Sequence, residues 1–142
     1  MDKLHILEKI ASELIQTYGI TEPPVPVESM LKNPKGNMWK EVDVNQLSGS
    51  FLVIKDRFSP RMSMARLLVR HVAISDWGRE RELQSMFIAD EKLIRAFARM
   101  LVMPMDMMTS LSNSARSASM ISARFEVPED DARQRLLELA GI

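Results

Sequence analysis

Apolar residues recur at helical spacing through most of the chain. In residues 2–18, Leu4, Leu7, Ile10, Ala11, Leu14 and Ile15 fall on one stripe, with Asp2, Glu8, Lys9 and Glu13 mostly outside it. That pattern predicts an amphipathic helix, and Gly19 is a plausible stop. TEPPVPV at 21–27 reads as an extended connector, because three prolines restrict themselves and their neighbours. A short helix over 27–31 follows, and then turn chemistry at 33–36. Two strands are predicted next. The first covers 38–44, with Trp39, Val42 and Val44; the second covers 50–55, with Phe51, Leu52, Val53 and Ile54. A third short strand is expected near 55–58.

The most strongly patterned segment begins at Ser59 and Pro60, a cap and first-turn pair. Met64, Leu67, Leu68 and Val72 then give a helix with one apolar face, and Arg66 and Arg70, four residues apart, share a face of the same helix. Asp76, Trp77 and Gly78 break the pattern, and 79–85 reads as a charged loop or short helix. A confident helix spans 90–103, where Leu93, Ile94, Phe97, Met100 and Leu101 repeat at i, i+3, i+4, i+7 and i+8. Shorter helices are expected over 105–111, 117–125 and 129–139, with turns at 112–114 and 126–128. The expected fold class is α+β: mostly helical, with a small antiparallel sheet of two or three strands beside the central helix.

Length and composition narrow this picture only slightly. The 142 residues suit a single domain ending in a helix pair at about 115–142. With 46% hydrophobic and 27% charged residues, the chain has the make-up of a soluble globular protein. The absence of cysteine excludes a disulfide framework and a thiolate metal site. No apolar run reaches the length of a membrane span and the first residues lack a signal-peptide pattern, so a cytoplasmic protein is expected. A net charge of +0 gives no general case for nucleic-acid binding. Within 57–124, however, ten arginines and one lysine face six acids, a basic middle suited to an acidic partner or a phosphate backbone.

The central helix reads RMSMARLLVR over 61–70. It resembles, in register and without a gap, the active-site helix of the ImmA/IrrE family of zinc metallopeptidases, roughly R-F-T-x-A-H-E-x-G-H. The order of helix, PPVPV and short helix is similar to that family's N-terminal part, and the LSGS at 47–50 to the approach to its second strand. AFARMLVMP at 96–104 resembles its F-A-x-x-L-L-M-P, and residues 122–142 resemble its closing helix pair. The resemblance covers residues ~5–142. It implies a zincin-like scaffold in which Arg66 and Arg70 stand at the two histidine ligand positions and Leu67 at the catalytic glutamate. The third ligand position falls on Leu93 or, two residues earlier, on Glu91. Zinc takes imidazole, carboxylate or thiolate ligands, and arginine does not deprotonate in proteins. The expectation is therefore a pseudoenzyme with no metal and no cofactor.

The remaining chemistry is sparse. His5 and His71 are the only histidines, and His71 lies about 100° around the helix from the ligand position before it. Arg66 and Arg70 either hold an anion or pair with Glu91, Asp90 or Asp76 and fill the old cavity. Twelve methionines are present, and Met100, Met103, Met105, Met107 and Met108 cluster around one helix junction. They suit an irregular core or, for Met105, Met107 and Met108, an adaptable partner groove. The closing helix pair has helix-turn-helix spacing, but its second helix opens on Glu129, Asp130 and Asp131, which repel phosphate. No nucleophile elbow and no glycine-rich phosphate loop is present. The resemblance thus implies a catalytically inactive peptidase homologue that binds a protein regulator or repressor, in a bacterial mobile element or stress response. The alternative is a DNA-binding regulator using the C-terminal pair. Nucleic-acid binding is expected to be weak, and membrane binding is not expected.

Overall fold

Asp2 sets the first helix by accepting a hydrogen bond from the Leu4 backbone N–H at 3.1 Å. Helix α1 then runs Lys3–Thr17. It ends where Gly19, at φ +65°, returns its N–H to the Gln16 carbonyl while Ile20 reaches back to Ile15. This paired closure needs a left-handed residue, which glycine supplies without steric cost. The computed structural model describes residues 2–36, 38–40 and 57–141. Within them follow α2 (Val27–Lys32), α3 (Ser59–Ile74), α4 (Asp76–Glu80), α5 (Leu83–Phe87), α6 (Glu91–Val102), α7 (Met105–Thr109), a 3₁₀ turn (Asn113–Ala115), α8 (Ala118–Phe125) and α9 (Glu129–Ala140).

Helix α6 is the axis of the packing. It lies against α3 and α1, and it also meets α5 and α9. Its buried residues include Ala96, Phe97, Met100, Leu101 and Val102, so most of its circumference is covered. Phe97, Met100 and Leu101 are fully enclosed, each contributing about 1.5–3 kcal/mol of apolar burial. Asp90 caps its start through the Leu93 N–H at 3.1 Å. Ser117 caps α8 in the same way through Met120 at 3.2 Å.

The described residues contain helices and no strand, which corrects the expected α+β class. Of the first proposed strand, 38–40 is irregular, because its side chains serve α2 instead. The Trp39 indole donates to the Leu31 carbonyl at 3.1 Å, closing the end of α2, and its ring stacks on Tyr18 with centroids 6.3 Å apart. The remainder of that strand, the LSGS motif and the second strand lie outside the described residues. Of the third, Arg57 and Phe58 form a turn leading into α3, and Phe58 rather than Ser59 occupies the N-cap. One shorter segment also differs. Asp76, Trp77 and Gly78 begin α4 instead of interrupting the helices, because Ser75 caps it by accepting from Gly78 N–H at 3.0 Å. The charged stretch after it divides between α4 and α5.

Candidate functional site

Helix periodicity places Arg66 and Arg70 on successive turns of α3, facing α6. Arg70 meets Glu91, the first residue of α6, through one guanidinium nitrogen at 3.1 and 3.2 Å from the two carboxylate oxygens. Both side chains are more than half exposed, at 51% and 59%, so water screens the pair and its contribution to stability is about 0–1 kcal/mol. Leu93 points differently. It is half-buried against the core, as is Leu67 on α3. Of the two positions proposed for a third ligand, Glu91 is thus the one brought to an arginine.

Arg66 lies one turn further along and is half-buried. It donates to the Ser63 hydroxyl at 3.1 Å. Burial lowers its pKa; Asp131 on α9 opposes that shift, Arg95 and Arg70 add to it, and Glu91 opposes it. The guanidinium nevertheless remains charged at any physiological pH. A cationic pair with a leucine between them does not fit a zinc ion. Among the described residues no three histidine, cysteine, aspartate or glutamate side chains are grouped to hold a metal.

His71 is turned aside from this seam, half-buried, and burial lowers its pKa. It lines a shallow apolar groove of about 320 Å³ between α3, α5 and α6, together with Val69, Ile74, Phe87, Ile88 and Ile94. The methionines divide. Met100 and Met103 are enclosed and Met108 is buried, while Met105 is half-buried. Met107 lines a second groove of about 480 Å³ between the end of α1, the connector at 20–23, α7 and α8. In the C-terminal pair, Arg133 is engaged with Asp130 at 2.6 Å and Glu129 at 3.5 Å, within the acidic first turn of α9.

Several structural arginines escaped the sequence pattern. Arg61 opens α3 by donating to the carbonyls of Glu126 at 2.9 Å, Val25 at 3.0 Å and Phe125 at 3.4 Å. It ties the proline connector to the end of α8. Arg99 on α6 reaches Glu138 and Asp131 on α9. Arg81 bonds Glu13 on α1 and lies over the Trp77 ring, 3.8 Å from its centroid. Arg135 is wholly buried and bonds Glu8. The expectation that Glu8 lies outside the apolar stripe of α1 is corrected: it is buried at 3%, since it falls at i+4 from Leu4 and i−3 from Ala11, a spacing that carried the signal. Arg135 likewise lies three residues after Ala132 and four before Leu139.

No family model matches the chain, and neither does any curated protein or solved structure. No helix among the described residues is long and apolar enough to cross a membrane.

Proposed function

We propose that this protein is a catalytically inactive homologue of the ImmA/IrrE-like peptidases that binds a protein partner, a regulator or repressor, without cutting it. The observation that supports this reading is the Arg70–Glu91 pair on the α3–α6 seam. A carboxylate from the helix that would carry the third ligand neutralises an arginine at a histidine position, and an ion pair replaces coordination chemistry. Leu67, half-buried beside them, supplies apolar bulk where a general base would stand. Arg66, Leu67 and Arg70 are not zinc ligands, and the Glu91 carboxylate by itself does not hold a zinc ion.

The acidic first turn of α9 weighs against the C-terminal pair reading a DNA groove, because a recognition helix presents its N-terminal residues to the duplex. The reading is tested by capturing partners on the full-length protein in its native host and measuring their intact masses. A stable partner of full mass is expected. A partner recovered as two fragments with a common cut would overturn inactivity, and nanomolar, sequence-dependent binding to duplex DNA at physiological salt would replace the reading altogether.

A further inference from the structure

The groove of about 480 Å³ between the end of α1, the connector, α7 and α8 has the size of a small-ligand site. Ile15 and Phe125 are buried beneath it, and Ile20, Met107 and Leu111, half-buried, flank them, so its inner surface is apolar. Three charged side chains border the same groove from three separate elements: Glu22 on the connector, Asp106 on α7 and Arg124 on α8. All three residues are exposed. Among the described residues their side chains form no ion pair or hydrogen bond, with one another or with any other group. Arg124 differs in this from its neighbours in the chain. Arg116 bonds the Thr109 and Leu111 carbonyls, Arg133 bonds Asp130, and Arg135 bonds Glu8. Charges of opposite sign therefore line one apolar groove, too far apart to pair across it.

We infer that this groove binds a short apolar peptide by its two free ends, the α-ammonium on Glu22 and Asp106 and the α-carboxylate on Arg124. The charges around the groove select this occupant. A neutral apolar ligand draws water away from three charged groups and replaces it with nothing. A cation leaves Arg124 unanswered, and an anion meets two carboxylates. A zwitterion with apolar side chains answers both signs and covers Ile20, Met107 and Leu111. Arg suits the carboxylate end because its planar fork receives it bidentately. The Gln16 carboxamide also lines the groove with no partner among the described residues, and it both donates to and accepts from a peptide bond. Neither Arg66 nor Arg70 lines this groove, so the site goes beyond the partner-binding reading and does not depend on it.

The test titrates the isotope-labelled full chain with the tripeptide Leu-Ala-Leu and follows its backbone amide and methionine methyl signals by nuclear magnetic resonance. Binding is expected with Kd of about 300 µM, with the shifts centred on Ile20, Met107 and Leu111. N-acetylation of the peptide and amidation of its C-terminus are each expected to weaken it about tenfold. The substitutions then assign each end. Arg124→Gln is expected to bind the free and amidated peptides equally, while still distinguishing the acetylated one. Glu22→Gln with Asp106→Asn is expected to do the reverse. These changes fall on exposed side chains, and unchanged circular dichroism checks that the helices remain. No saturable shift at millimolar peptide, shifts confined to residues outside the groove, or variants that discriminate as wild type does would each overturn the inference. Equal binding of the free and doubly capped peptides would also overturn it, because an internal segment of a protein would then serve as well as a peptide with free ends.

Discussion

Arg135 on α9 donates two hydrogen bonds to the carboxylate of Glu8 on α1, across 127 residues of chain. Its third donor, Nε, goes to the Met103 carbonyl just past the end of α6, at 2.9 Å. The Arg135 side chain is 0% exposed and that of Glu8 3%. One guanidinium therefore fastens the first helix, the last helix and the end of the central one. Both charges have left water, which is tolerable only because each is answered by the other and by a backbone acceptor.

Removing either partner strands the other in the core. Glu8→Ala and Arg135→Ala are each expected to lower unfolding stability by about 3–5 kcal/mol. The double replacement Glu8→Leu with Arg135→Met is expected to recover most of that loss, because a packed apolar pair needs no charge compensation. Urea denaturation of the four chains checks this. Equal and additive losses would mean that the pair is not coupled.

Gly78 sits in the first turn of α4, where a Cβ would lie 2.0 Å from the Val72 carbonyl oxygen. That oxygen also accepts from the Ser75 hydroxyl at 2.6 Å and belongs to the last turn of α3, so it has little room to withdraw. Gly78→Ala is expected to cost about 1–3 kcal/mol, by forcing α3 and α4 apart. A thermal melt reads the loss. An unchanged midpoint would show that the junction yields freely.

Tyr18 is the single tyrosine, so phenolate absorbance reports on it alone. Burial beside Trp39 pushes its pKa up to about 12. The hydroxyl also donates to the Asn33 carbonyl at 2.9 Å. The folded state thus holds its proton more tightly than the unfolded chain, whose phenol ionises near 10. The stabilisation is complete below about pH 10 and declines as pH rises from there towards about 12. An absorbance titration should place the folded midpoint near 12, and urea should return it to the ordinary value. A folded midpoint at the ordinary value would contradict the packing around Trp39.

The scaffold reading makes its own demand on α3. With Arg66→His, Leu67→Glu and Arg70→His in one chain, two imidazoles stand one turn apart, opposite Glu91. Metal analysis after dialysis is expected to find about one zinc per chain in this variant and none in the parent. A folded triple variant that takes up no zinc would remove the argument from α3 to a peptidase scaffold.

Periodicity was enough to place the long helices. The stripes from Leu4 to Ile15 and from Leu93 to Leu101 became α1 and the axial α6, because a helix of that length buries one face whatever its neighbours are. Arg66 and Arg70 shared a face for the same local reason. Partner choice was a tertiary matter. Nothing within α3 says whether Arg70 meets Glu91, and nothing within α1 says that Glu8 turns inward to an arginine 127 residues away. Glu8 reads from the sequence as a charge beside the stripe and solvated, because its counter-charge is delivered from another helix. Trp39 shows the converse case. Its β propensity suggested a strand, but the indole N–H found the Leu31 carbonyl and the ring found Tyr18, so packing and one hydrogen bond set the local backbone where propensity is weak. Spacing within about one helical turn was legible in the sequence, whereas the meeting of separate helices, and with it the identity of every ion pair between them, required the folded chain.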